Sequence, residues 1–129
     1  MSYLMIVDDD EDFATAAATV LRDTGHEVKI ELDIGNAEKS MNKRQPDIII
    51  LDVMFPENNS AGFELARKMK HHNGKLKNIP VLMLTAVNEK FPLGFSSTDI
   101  DGYWLPVEDF LEKPVDLDLL SNKVSKMLP

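Results

Sequence analysis

Apolar and polar positions alternate along this chain with two different periods. Short apolar runs read as strands, and between them lie stretches whose apolar residues recur at helical spacing. Tyr3 to Val7 is a first apolar run, closed by Asp8-Asp9-Asp10. A helix is predicted from about Asp10 to Thr24, with Phe13, Ala16, Ala17, Val20 and Leu21 on one face and Gly25 as its stop. Asp10, Glu11 and Asp12 in its first turn suit the helix dipole, and Asp10 reads as its cap. Glu27 to Leu32 places Val28, Ile30 and Leu32 on one side of a second strand. Ile34, Ala37 and Met41 mark a short second helix, ended near Pro46. Ile48-Ile49-Ile50-Leu51 is apolar throughout, as a strand covered on both faces must be.

The second half continues the alternation less regularly. Ala61 to about Lys70 reads as a helix carrying Phe63, Ala66 and Met69. Val81 to Leu84, introduced by Pro80, is a fourth strand, and Asp109 to Glu112 a fifth. Leu117, Leu120, Val124 and Met127 form the inner stripe of a last helix begun after Pro114. Between residues 88 and 107 the pattern breaks. Pro92, Gly94, Gly102 and Pro106 interrupt it, and Phe91, Phe95, Tyr103 and Trp104 follow no helical period. This segment reads as mostly loop, with its aromatics as a satellite core. Strands alternating with helices predict an α/β fold, a parallel sheet with helices on both faces.

Composition narrows the class. At 129 residues the chain is expected to be one domain, residues 1–129, with 43% hydrophobic residues to fill a core. There is no cysteine, which excludes disulfides and thiolate metal sites. No apolar run has the length of a membrane span, and the first residues lack a secretory pattern, so a cytoplasmic protein is expected. The formal charge of −8 argues against direct nucleic-acid binding.

The chemistry lies where strands end. In an open parallel sheet functional groups gather at the carboxyl ends of the strands. Strand one ends at Asp8 and Asp9, strand three at Asp52, strand four at Thr85 and Ala86, and strand five at Lys113. Three carboxylates, a hydroxyl and an ammonium are thus directed to one edge. Clustered carboxylates repel, and a hard divalent cation resolves the conflict; magnesium takes oxygen ligands and accepts phosphate oxygens beside them. An Asp carboxylate can attack phosphorus, and positive charge around the equatorial oxygens then lowers the barrier. Read singly, Lys113 is also a plain surface lysine, Thr85 a strand-end threonine, and His71 and His72 a solvated helix end.

The segments Leu4-Met5-Ile6-Val7-Asp8-Asp9-Asp10, Ile48 to Pro56 around Asp52, Leu84-Thr85-Ala86 and Leu111-Glu112-Lys113-Pro114 together resemble response-regulator receiver domains of two-component signalling. The resemblance covers almost the whole chain. It implies a flavodoxin-like, doubly wound five-stranded parallel sheet in the order 2-1-3-4-5, here with an irregular or shortened fourth helix. It implies that Asp52 is the phosphoacceptor. It also implies a magnesium site in which Asp9 binds directly, Asp8 acts mainly through water, and Asp52 and the Met54 backbone carbonyl complete the protein ligands. Lys113 and Thr85 would contact the phosphoryl group, and Phe110 would be a switch aromatic. The donor would be a histidine kinase or histidine phosphotransfer protein, the output an unidentified downstream protein. The domain would be no enzyme beyond self-catalysed phosphotransfer and slow autodephosphorylation.

Two departures bear on this. Glu57-Asn58-Asn59-Ser60-Ala61 lengthens the loop after Pro56, and the 88–107 segment replaces the usual fourth-helix pattern. They favour an alternative, a phosphorylation-independent interaction module on the same fold. A mononucleotide binder on this fold would need a phosphate-cradling loop where Asp8-Asp9-Asp10 stands. In the family that the chain resembles, the residues two places after the acceptor and two after the threonine tune hydrolysis. Here they are Met54 and Val87, both apolar and unable to orient a water, which implies a slowly decaying phosphorylated state.

Overall fold

The computed structural model describes residues 2–52, 65, 68–69, 79–86, 109–113 and 115–128. In chain order the elements are β1 (Tyr3–Val7), α1 (Glu11–Asp23), β2 (Glu27–Glu31), α2 (Ile34–Lys43), β3 (Ile48–Asp52), β4 (Val81–Ala86), β5 (Asp109–Lys113) and a C-terminal helix, here α3 (Leu117–Met127). All strand pairs are parallel, in the order β2-β1-β3-β4-β5. Leu65, Lys68 and Met69, inside the predicted 61–70 helix, are helical. The 88–107 segment, with the expectation of a shortened fourth helix, lies outside the described residues.

Each helix begins where its sequence supplies an acceptor. Asp10 caps α1 by accepting from the Phe13 N–H at 3.1 Å. Asp33 caps α2 through the Asn36 N–H at 2.8 Å. Asp116 caps α3, accepting from Asp118 and Leu119. Such caps satisfy backbone donors that no helical carbonyl can reach. Gly25, at φ 97°, makes the turn out of α1 in the left-handed region that glycine enters without steric cost.

The core on one sheet face joins Leu4, Ile6, Val28, Ile48, Ile50, Leu82, Leu84 and Leu111 to Ala14, Ala17, Ala18 and Leu21 of α1 and Leu120 and Val124 of α3. The alternate strand residues Met5, Val7, Ile49, Leu51 and Met83 are buried as well. Both faces of β1, β3 and β4 are therefore covered, which is why Ile48 to Leu51 has no polar position. β1 passes to β2 on one side and β2 returns to β3 on the other. Right-handed crossovers in opposite directions put α1 and α2 on opposite faces. α2 buries Ala37 and Met41.

The α1 stripe differs from the expected one by a small rotation. Ala14, Ala17, Ala18 and Leu21 are buried, Phe13 and Val20 flank them, and Ala16 is exposed. Four small or compact residues let the helix lie close to the sheet, and the larger side chains pack along its borders. β2 stops at Glu31, so Leu32 lies past the strand and is exposed. β4 and β5 run on to Ala86 and Lys113, further than the apolar runs alone suggest. Among the described residues no helix is long and apolar enough to cross a membrane.

Candidate functional site

The strand order reverses between β1 and β3, since β1 connects outward to β2 and β3 connects outward to β4. At such a switch point the loops diverge and leave a crevice beyond the carboxyl ends. Val7 pairs with Leu51, so the residues that follow, Asp8 and Asp52, stand at the same level on neighbouring strand ends. Local bonds hold Asp8. Its N–H continues the β1–β2 ladder to the Glu31 carbonyl at 3.1 Å. Its Oδ1 accepts from the Asp10 N–H at 2.9 Å, a short side-chain turn that orients the carboxylate.

Asp8, Asp9 and Asp52 each offer a carboxylate oxygen, and these oxygens all lie within 4.8 Å of one another. Asp8 is 0% and Asp52 4% exposed, while Asp9 is exposed. These two aspartates are the buried charged side chains among the described residues. Gathering like charges away from water is unfavourable unless a counter-charge joins them. The donor set is oxygen alone, with no His or Cys, and one side is open through Asp9. It fits a hard divalent cation such as magnesium. Asp10 is not part of the cluster; it caps α1, as the sequence suggested.

The other expected site residues are placed by their backbones. Asp52 is level with Leu84 of β4, which is level with Leu111 of β5; Thr85 pairs with Glu112 and Ala86 with Lys113. Thr85 thus stands one residue beyond Asp52 on the adjacent strand, and Lys113 ends the next strand two residues beyond, about 7 Å further at strand rise. Phe110 pairs with Met83 lower in β5. For Thr85, Phe110 and Lys113 the described part is the backbone. Met54, Val87, His71, His72 and the Glu57–Ala61 insertion lie outside the described residues.

Sequence reasoning named the three carboxylates but not the bond by which Asp10 orients Asp8. The signal was an aspartate two residues before a helix cap, a spacing at which its side chain reaches the backbone N–H. One residue both caps a helix and fixes the carboxylate before it.

A family model described as the response regulator receiver domain matches residues 4–125. Among solved structures, the chemotaxis response regulator CheY4 of Vibrio cholerae is 27% identical, with a TM-score of 0.81 and 99% of each chain covered. Among curated proteins, the CAI-1 autoinducer sensor kinase/phosphatase CqsS of Vibrio cholerae is 30% identical over 122 residues, 95% of this chain and 17% of that protein. The DNA-binding dual master transcriptional regulator RpaA of Synechocystis sp. is 30% identical over 128 residues, 99% of this chain and 49% of that protein. The chain spans half or less of the length of these two curated relatives.

Proposed function

The chain belongs to the response regulator receiver domain family, and on that premise we propose that Asp52 accepts a phosphoryl group from a histidine kinase or histidine phosphotransfer protein. The observation that carries the reading is the meeting of Asp8, Asp9 and Asp52 within 4.8 Å at the switch point, with Asp52 buried.

In this reading an Asp52 carboxylate oxygen attacks phosphorus in line with the donor nitrogen. The P–O bond forms as the P–N bond breaks, and the donor imidazole leaves with its electron pair and takes up a proton. Asp8, Asp9 and Asp52, with the Met54 carbonyl, would hold magnesium. Bound there, the ion supplies positive charge to the equatorial phosphoryl oxygens. Lys113 supplies a second positive charge at the end of β5, and Thr85 a hydroxyl donor at the end of β4. Burial of Asp52 limits competing water. The product is an acyl phosphate, and its added charge is the input that Thr85 and Phe110 pass to a partner surface by population shift. The sensor-kinase relative supports a histidine-kinase donor.

Incubation with acetyl phosphate and magnesium tests this without the cognate kinase. Intact mass should rise by one phosphoryl group per chain in the wild type and not at all in Asp52→Asn. An unmodified wild type under conditions that phosphorylate a control receiver, or equal labelling of the variant, would refute the assignment.

A further inference from the structure

β2 forms an outer edge of the sheet, so half its backbone groups face away from β1. Two bonds fix which half. The Glu27 N–H donates to the Ser2 carbonyl, and the Glu31 carbonyl accepts from the Asp8 N–H. Residues 27, 29 and 31 thus face β1, and by strand alternation Val28 and Ile30 turn their N–H and C=O groups to the open side. An open edge of this kind is a template for another strand. Among the described residues, one of these outward groups has a side-chain partner. Arg22, in the last turn of α1, reaches the edge and donates from its Nη2 to the Val28 carbonyl at 2.9 Å.

The side chains of β2 alternate in charge as Glu27, Lys29 and Glu31. Antiparallel pairing with a second β2 that sets Val28 against Val28 places Glu27 opposite Lys29. Pairing that sets Ile30 against Ile30 places Lys29 opposite Glu31. Both registers are charge-complementary across the strands, and opposite charges there stabilise a pair. The second register sets Val28 against residue 32, so both require the Val28 carbonyl as an acceptor.

We propose that Arg22 is an edge guard: by holding the outward Val28 carbonyl it keeps β2 from pairing with β2 of a second copy of this chain. The guanidinium also carries a charge that an incoming strand must displace or desolvate, and charged groups at an edge oppose strand addition. The other flank of β2 is tied down by side chains, Glu27 to Arg44 and Glu31 to Ser40 of α2. These bonds hold the strand at both ends, so removal of the guard exposes a formed edge rather than a frayed one.

Sedimentation over a range of concentrations tests the proposal on the full chain. Arg22→Ala should self-associate beyond the wild-type state, with dimer at a given concentration raised roughly tenfold. Arg22→Lys, which keeps a donor, should restore the wild-type state. Adding Ile30→Pro to Arg22→Ala should abolish the gain, because proline removes an outward N–H and obstructs the edge. If Arg22→Ala does not fold by circular dichroism, Arg22→Met, which keeps the stem without the donor, takes its place. A folded, donor-less variant that sediments as the wild type, or self-association that survives Ile30→Pro, overturns the proposal.

Discussion

The two ends of the sheet handle charge in opposite ways. At the amino end polar groups are paired within the chain and remain wet. The Tyr3 N–H donates to an Asp47 carboxylate oxygen and the Asp47 N–H to the Tyr3 carbonyl, each at 2.7 Å. Arg44 pairs with Glu27, their side chains 57% and 48% exposed, and its guanidinium lies 4.0 Å from the centre of the Tyr3 ring. At the carboxyl end three carboxylates converge, two of them buried. At the amino end each of these charged groups finds its partner within the chain. The carboxyl end gathers like charges that a bound cation would offset and to which a phosphoryl group would add. Like charges gathered in this way, against local pairing rules, mark a candidate functional end of the fold.

The contrast gives opposite signs for substitutions at the two ends. The largest effect expected concerns Asp8→Asn, which keeps the Oδ1 acceptor for the Asp10 N–H and removes one charge. In a chelator it should stabilise the fold by about 1 kcal/mol, through relief of like-charge repulsion. Magnesium should shrink that advantage, because the wild type gains more from the ion. Denaturant titration with and without magnesium measures both. A destabilised Asp8→Asn in chelator would break the comparison.

At the amino end removal of a charge should have the reverse sign and a smaller size. Arg44→Ala should lower the melting temperature slightly and less so at high salt, since exposed ion pairs contribute little and are screened. The hydrogen bond that Arg44 donates to the Glu27 carboxylate raises the Arg44 pKa further above its ordinary value, so Arg44 stays charged throughout and the loss should not vary near neutral pH. The smallest effect belongs to Tyr3. Burial raises its phenol above the ordinary 10.0, while Arg44 pulls the other way. The folded state disfavours the phenolate, so this contribution is present below pH 10.0 and is lost as pH rises through the raised value. Tyr3→Phe should flatten the alkaline limb of the stability curve and leave neutral pH unchanged.

Much of this was legible from the sequence, for physical reasons that differ by region. Ile48 to Leu51 could be read as a doubly covered strand because no polar residue interrupts it. α1 could be bounded because Asp10 and Gly25 each satisfy a terminus that helical geometry leaves open. The meeting of Asp8, Asp9 and Asp52 could be anticipated because their strand runs end in carboxylates, and a parallel sheet brings such ends to one edge. The rotation of α1 was not legible, because a helix with alanine at 14, 16, 17 and 18 leaves helical phase nearly degenerate; Ala16 matches the period as well as Ala14 does. Nor was the Arg22 bond to β2 legible. A long side chain at a helix end offers no signal of which carbonyl it will meet until the strand order makes β2 an edge.

Magnesium binding measured directly, by calorimetric titration of the unphosphorylated wild type and Asp9→Asn, bears hardest on the claim that separate strand ends converge into one cation site. One ion per wild-type chain is expected, with affinity in Asp9→Asn weakened by roughly tenfold or more. No saturable binding to the wild type, or binding indifferent to the substitution, would contradict it.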